Sequence, residues 1–191
     1  MRNIVRKAIS FIANLWYRIE VTGKENITGD HVVIMSNHSH LMDPLIISAS
    51  FPGPATAIAK ESLFKIPVVG WAVRQLGALP VKRDGSDIKA LRDAVKVLQE
   101  SSLLIFVEGT RNKGSAPLEA KPGSVMIAKM AKAAILPVTI KSNYGFMART
   151  LVHYHPAVYL ESFGIKKFSS EDYQRIAADV LKDIYEKKAQ L

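Results

Sequence analysis

The apolar positions of this chain fall into short continuous runs that stop abruptly at polar groups, alternating with longer stretches in which they recur every three or four residues. Residues 32–36 (VVIMS), 103–107 (LLIFV) and 135–140 (ILPVTI) are runs of strand length, as expected of strands covered on both faces. Residues 17–22 (YRIEVT) alternate enough for a strand closed by Gly23, and residues 56–59 and part of 77–83 (GALPVKR) add two short ones. Between these runs the period changes. Ile88, Leu91, Val95 and Leu98 predict a helix over 86–100 that Ser101 and Ser102 break, residues 124–134 suit another, and a short helix starts at Pro44 and stops at the FPGP of 51–54. The last helix is the plainest: Ser169 can cap it with Asp172 three residues on, and Tyr173, Ile176, Ala177, Val180, Leu181, Ile184 and Tyr185 make one apolar stripe. Residues 151–162 predict a pair of short strands around Pro156.

Strands alternating with helices define an α/β class, here a single domain with a mixed β-sheet flanked by helices and an N-terminal amphipathic helix. The expected division is a basic amphipathic helix over 1–19, an α/β core over 20–165 and a C-terminal amphipathic helix over 166–191. A chain of 191 residues, 48% hydrophobic, can bury one sizeable core. It has no cysteine, so disulfides, thiolate metal sites and a cysteine acyl-enzyme are excluded, and its five histidines form no zinc motif. Neither a metal nor a cofactor is expected. No apolar stretch is long enough to span a bilayer, because the longest uncharged segment, 44–59, holds three prolines. The N-terminal segment, with Phe11, Trp16 and Tyr17 among basic residues, suits either a helix lying in a membrane interface or a core-packed first helix. Residues 60–76 are apolar and weakly helical, and fit core, the lining of an acyl-chain groove or bilayer contact.

Charge is uneven. The net charge is +9, and residues 111–149 hold seven bases against Glu119 alone, whereas residues 161–191 balance six bases with six acids. Phosphate, anionic lipid and nucleic acid are all compatible with such a field.

Two of the apolar runs deliver reactive residues to a strand end. The first is followed by Ser36, Asn37 and His38, and then by Asp43 and Pro44. Asp43 is expected at the helix N-cap, and across a strand-to-helix loop it can meet His38 and orient the imidazole as a general base. The second ends in Glu108, Gly109, Thr110 and Arg111, where a guanidinium matches phosphate and a glycine lets backbone approach an anion; Lys82, Arg83 and Lys121 add charge. In α/β sheets ligands bind where loops leave strand ends, and a base beside a phosphate clamp suits a substrate carrying both a hydroxyl and a phosphate. Backbone N–H groups near His38 or in the Gly109 loop are candidate oxyanion donors. Two other readings are a hydrolase using Ser36 or Ser39 as nucleophile and a non-catalytic basic module. The first lacks a GxSxG elbow, and the second lacks any nucleic-acid-reading motif, so no nucleic-acid partner is expected.

The ordered segments NHSHLMD (37–43), GALPVKR (77–83), FVEGTR (106–111) and ILPV (135–138) resemble the four motifs of the glycerolipid acyltransferases, the family of 1-acylglycerol-3-phosphate acyltransferase with its NHx4D signature, and KPGS at 121–124 resembles that family's basic-Gly segment. The likeness covers roughly residues 20–165, and Val107 stands where the family usually has proline. It implies that His38 is the catalytic base and Asp43 its orienting partner. It also implies that Arg83, Glu108, Gly109, Thr110, Arg111 and Lys121 serve the phosphorylated acceptor, and that Pro137 shapes a pocket wall. The implied reaction moves an acyl group from acyl-CoA or acyl-carrier protein to the 2-hydroxyl of lysophosphatidate, in phospholipid biosynthesis. Glycerol-3-phosphate or another lysophospholipid is the alternative acceptor. The expected location is peripheral, at the cytoplasmic face of a membrane.

Overall fold

The continuous apolar runs become the middle of one sheet. In the computed structural model, which describes residues 11, 13–27, 31–81 and 88–191, the strands are β1 (Arg18–Thr22), β2 (Val33–Ser36), β3 (Ala55–Lys60), β4 (Leu79–Val81), β5 (Ser102–Phe106), β6 (Ile135–Ser142) and β7 (Arg149–Tyr154). They lie in the order β1-β7-β6-β2-β5-β3-β4. All neighbours run parallel except β6 and β7, so the sheet is mixed. β2 is central, paired with β5 through Ile34↔Leu104 and with β6 through Ile34↔Leu136. Every residue of β2 is buried, as a strand covered on both faces requires.

Five helices follow the strands: α1 (Asp43–Ser50), α2 (Pro67–Gln75), α3 (Ile88–Val97), α4 (Gly123–Ala131) and α5 (Ser170–Gln190). Alternate residues of the central strands feed two separate cores. Val33, Met35, Leu103 and Ile135 pack with Ala94 and Leu98, Val125 and Ala128 of α4, and Ile176 to Tyr185 of α5. On the opposite face Ile34, Leu104, Leu136 and Val138 pack with Ile46 and Ile47 of α1 and with Tyr17 and Phe51. The molecule is therefore an α/β domain with helices on both faces of its sheet. At α5 the capping box forms as expected, with Asp172 N–H donating to Ser169 Oγ and Ser169 N–H to Asp172 Oδ2.

Four expectations are corrected. Residues 151–162 hold one strand rather than two: β7 ends at Tyr154, and beyond Pro156 only an isolated bridge, Ile135↔Val158, and a 3-10 turn at Leu160–Phe163 follow. The cap of α1 is Met42, and Asp43 is the first helical residue. Residues 60–76 are not core: a 3-10 turn (Glu61–Lys65) leads into α2, where Val68 is 79% and Trp71 58% exposed. Ile88 is likewise exposed, so the inner face of α3 is carried by Leu91, Ala94 and Val95. At the N-terminus, residues 13–16 are helical; Ala13 and Tyr17 point inward while Leu15 and Trp16 stay exposed, and the rest of the expected 1–19 helix lies largely outside the described residues.

Candidate active site

Parallel pairing brings the C-terminal ends of β2, β5, β3 and β6 to one edge of the sheet, with the start of β7 beside them. Asn37 ends β2 in a particular way. Its side-chain amide pairs with Ile140 of β6, Oδ1 accepting from the Ile140 N–H at 2.9 Å and Nδ2 donating to its carbonyl at 3.0 Å. A side chain thus takes the place of backbone in the ladder, and the main chain is free to turn away and present His38.

The turn folds around one buried carboxylate. Asp43, fully buried, accepts at Oδ2 from His38 Nδ1 (2.9 Å), Ser39 N (2.7 Å) and His40 N (2.8 Å), and at Oδ1 from the Tyr144 hydroxyl (2.8 Å). A carboxylate offers only acceptors, so His38 carries its proton on Nδ1 and leaves the Nε2 lone pair open. Among the described residues Nε2 meets no protein partner, nor is it one of the buried unpaired atoms. The His38 ring stacks on Phe106 at 3.9 Å between centroids, with only 14% of its side chain exposed. The Tyr144 hydroxyl has its pKa raised, first by burial and then by the adjacent Asp43 charge, which keeps it a proton donor to that carboxylate.

A second buried carboxylate ties in the neighbouring loop. Glu108 accepts at Oε2 from the His38 N–H (3.3 Å) and at Oε1 from Asn112 Nδ2 (2.6 Å), the Tyr185 hydroxyl (2.9 Å) and Leu118 N (3.1 Å). The Asn112 N–H donates to the His38 carbonyl at 2.6 Å, closing the two loops together. Burial and the hydrogen bond to Glu108 raise the Tyr185 pKa. Lys121 returns beside the same loop, its N–H on the Val107 carbonyl and its stem near Gly109, whose φ of +64° favours glycine.

The structure therefore joins His38 to Asp43 and sets Gly109, Thr110, Arg111 and Lys121 on the adjacent loop. Arg111 is exposed and its guanidinium is in no ion pair among the described residues. Both oxygens of Glu108 accept internal donors, and through Oε2 it holds the His38 backbone. Pro137 pairs with Met35 inside the sheet, and its missing N–H falls on the side where β7 has ended, so the ladder loses nothing. Arg83 and Lys82 lie outside the described residues. The N–H groups of His38, Ser39, His40 and Gly109 are all committed to protein acceptors, whereas those of Glu108, Thr110 and Arg111 meet no protein acceptor among the described residues, and of these three residues Thr110 and Arg111 are exposed. Neither serine suits a triad: Ser36 is buried and donates to the Asn37 carbonyl, and Ser39 Oγ contacts Lys188. Among the described residues no group of three His, Asp or Glu side chains is placed to hold a metal ion.

Sequence reasoning does not place Asn112, Tyr144 or Tyr185 in the site, and it names Asn37 only as part of the NHx4D segment. For Tyr144 a signal existed. The rule that a buried run ends in functional polar groups, applied to β6, points to Ser142–Asn143–Tyr144. A cleft of ≈ 330 Å³ between Pro54, Leu76 and Ser101 opens at the opposite edge of the sheet and does not communicate with His38.

This fold and this site define an acyltransferase. Residues 18–141 match the family profile described as Acyltransferase, and the chain belongs to that family. It is 34% identical over 182 residues to the 1-acyl-sn-glycerol-3-phosphate acyltransferase of Borreliella burgdorferi, covering 87% of this chain and 72% of that one. To the chloroplastic 1-acyl-sn-glycerol-3-phosphate acyltransferase LPAT1 of Arabidopsis thaliana it is 31% identical over 148 residues, 71% of this chain but only 41% of the relative's length. In three dimensions it is similar to the crystal structure of the 1-acyl-sn-glycerophosphate (LPA) acyltransferase PlsC from Thermotoga maritima. That match has a TM-score of 0.74 and 28% identity, and covers 97% of this chain and 80% of that one.

Proposed function

We propose that this protein transfers a fatty acyl group from a thioester donor, acyl-CoA or acyl-carrier protein, to the 2-hydroxyl of 1-acylglycerol-3-phosphate, making phosphatidate for phospholipid synthesis. The observation that carries the reading is the His38–Asp43 pair, oriented so that Nε2 is the open nitrogen. His38 Nε2 takes the proton of the acceptor hydroxyl as its oxygen attacks the thioester carbon. The C–S bond of the resulting tetrahedral centre then breaks, and the departing thiolate takes the proton back from the imidazolium. Asp43 keeps Nδ1 protonated and stabilises the charged ring between the two steps. The N–H groups of Thr110 and Arg111 are the proposed donors to the oxyanion, and the Arg111 guanidinium, with Lys121 and Arg83, the proposed grip on the acceptor phosphate.

The exposed apolar side chains of this edge fit a peripheral membrane protein. Trp16 packs edge-on against Phe146 at 5.0 Å, Leu41 projects from the His38 loop, and Val68 and Trp71 project from α2, which begins beyond the end of β3. No helix among the described residues is long and apolar enough to cross a bilayer. The proposed arrangement lays this rim on the cytoplasmic face of a membrane, so that a lipid acceptor reaches His38 without passing through water.

Transfer from both donor types to lysophosphatidate and to glycerol-3-phosphate tests the reading. His38→Ala should cut kcat by roughly 10²–10⁴-fold while leaving the melting temperature near that of the parent. Arg111→Ala should mainly raise the KM for the phosphorylated acceptor. Full activity in the His38 variant would remove the proposed base.

A further inference from the structure

Lys188, in the last turn of α5, lies beyond every segment that pointed to the site from sequence, yet its ammonium reaches the catalytic loop. Nζ donates to Ser39 Oγ at 3.3 Å, one residue from His38, and sits 4.7 Å from the centroid of the Tyr185 ring. It has no carboxylate in ion-pair range among the described residues, although several lysines on exposed faces find one. Burial lowers the pKa of this ammonium, the buried carboxylates of Glu108 and Asp43 attract it from beyond ion-pair range, and Lys141, near the end of β6, repels it. The ordinary task of a lysine at a helix C-terminus is to offset the macrodipole from solvent. Folding this one inward instead leaves a half-buried ammonium whose hydrogen-bond partner is a neutral hydroxyl, so an anion entering beside it would gain a charge-assisted hydrogen bond.

We propose that Lys188, assisted by Lys141, grips the phosphate of the acyl acceptor from the flank of His38 opposite Arg111. The proposal rests on the acyltransferase reading above. β2 lies between β6, which carries Lys141, and β5, which leads to Arg111, so the two cationic groups bracket the base. Distance selects the acceptor over the donor. In a 1-acylglycerol-3-phosphate about four bonds separate the 2-hydroxyl oxygen from phosphorus, a span of roughly 5 Å, so a hydroxyl held at His38 puts its phosphate beside the residues next to His38. The phosphate of a pantetheine thioester lies a whole arm away from the reacting carbon. Lys188 is in this reading a substrate-binding residue, and its contact with Ser39 sets where the ammonium stands.

Steady-state kinetics on Lys188→Met, Lys188→Arg and Lys141→Met, with KM measured separately for lysophosphatidate and for the thioester donor, test the proposal. Loss of a charge-assisted hydrogen bond should raise the KM for lysophosphatidate about tenfold or more in Lys188→Met. Lys188→Arg should recover most of that loss, Lys141→Met should give a smaller rise, and the KM for the donor should stay within about twofold in all three. An unchanged KM for lysophosphatidate overturns the assignment, as does a shift in the donor KM instead. A fall in kcat alone would make Lys188 only a support for the Ser39 loop, which also overturns it. Parent protein that transfers to no acceptor would sink the activity itself, a result distinct from any of these.

Discussion

Tyr144 shows how much of this site depends on a single buried charge. Asp43 is taken wholly out of water, and a carboxylate survives there only because four donors converge on it. Tyr144 is the only one of the four from outside residues 38–40, and its ring also stacks on His40 at 4.4 Å. Tyr144→Phe keeps the stack and deletes the donor, leaving Asp43 Oδ1 bare. The expected cost is on the order of 1–3 kcal/mol, read as a lower urea midpoint, together with a reduced kcat because the carboxylate that orients His38 is free to turn. An unchanged midpoint and an unchanged kcat would show that the hydroxyl is dispensable. His38 itself is held three ways: Asp43 at Nδ1, Phe106 against its ring, and Glu108 on its backbone N–H. Asp43 belongs to the same turn, whereas Phe106 and Glu108 come from the end of β5, so the imidazole is fixed jointly by its own loop and by the neighbouring strand.

Among the elements, α5 does two separable jobs. Its capping box at Ser169 and Asp172 stabilises the helix, and its inward stripe from Ile176 to Tyr185 fills one core. The Tyr185 hydroxyl then reaches past the core to Glu108, and so helps to place the His38 backbone. Ser169→Ala should therefore lower stability by about 1 kcal/mol with kcat unaltered. Tyr185→Phe should lower stability by a similar roughly 1–2 kcal/mol and also reduce kcat, because Glu108 loses a donor. Paired denaturation and turnover measurements on the two variants separate the jobs; equal effects on kcat would refute the division. A proline within β6 is tolerated for a comparable reason of position: Pro137 sits where the ladder to β7 has already stopped, and its carbonyl is used by His155 N–H.

Across the whole molecule, the excess positive charge and the exposed apolar groups do not behave as the totals suggest. Of the seven bases between 111 and 149, Arg149 is engaged by Glu20 at 2.7 Å and Lys121 by Glu119 at 2.7 Å, and Lys129 lies over the Phe168 ring. Arg111 and Lys141, at the catalytic edge, are in no ion pair among the described residues. That edge also carries the apolar rim, so one side of the molecule combines cations with large apolar side chains, the combination that the proposed contact with anionic lipid needs. Replacing Val68 and Trp71 together by serine should weaken partition onto vesicles containing anionic phospholipid by roughly tenfold or more, with an unchanged circular dichroism spectrum; undiminished sedimentation with vesicles would move the contact elsewhere. How much of this was legible in the chain follows from the range over which each cause acts. Strand runs, helix stripes and the Ser169 cap depend on residues near one another, so hydrophobic period and local spacing determined them, and with them the α/β class; spacing allowed His38 to meet Asp43, and the motif resemblance singled that pair out. Strand order, the inward reach of Tyr144, Tyr185 and Lys188, the closure of Glu108 and the exposure of α2 depend on contacts between distant segments. Only tertiary packing decided those, because a hydroxyl, carboxylate or ammonium takes its role from whichever group the fold sets against it, and that partner is not written beside it in the chain.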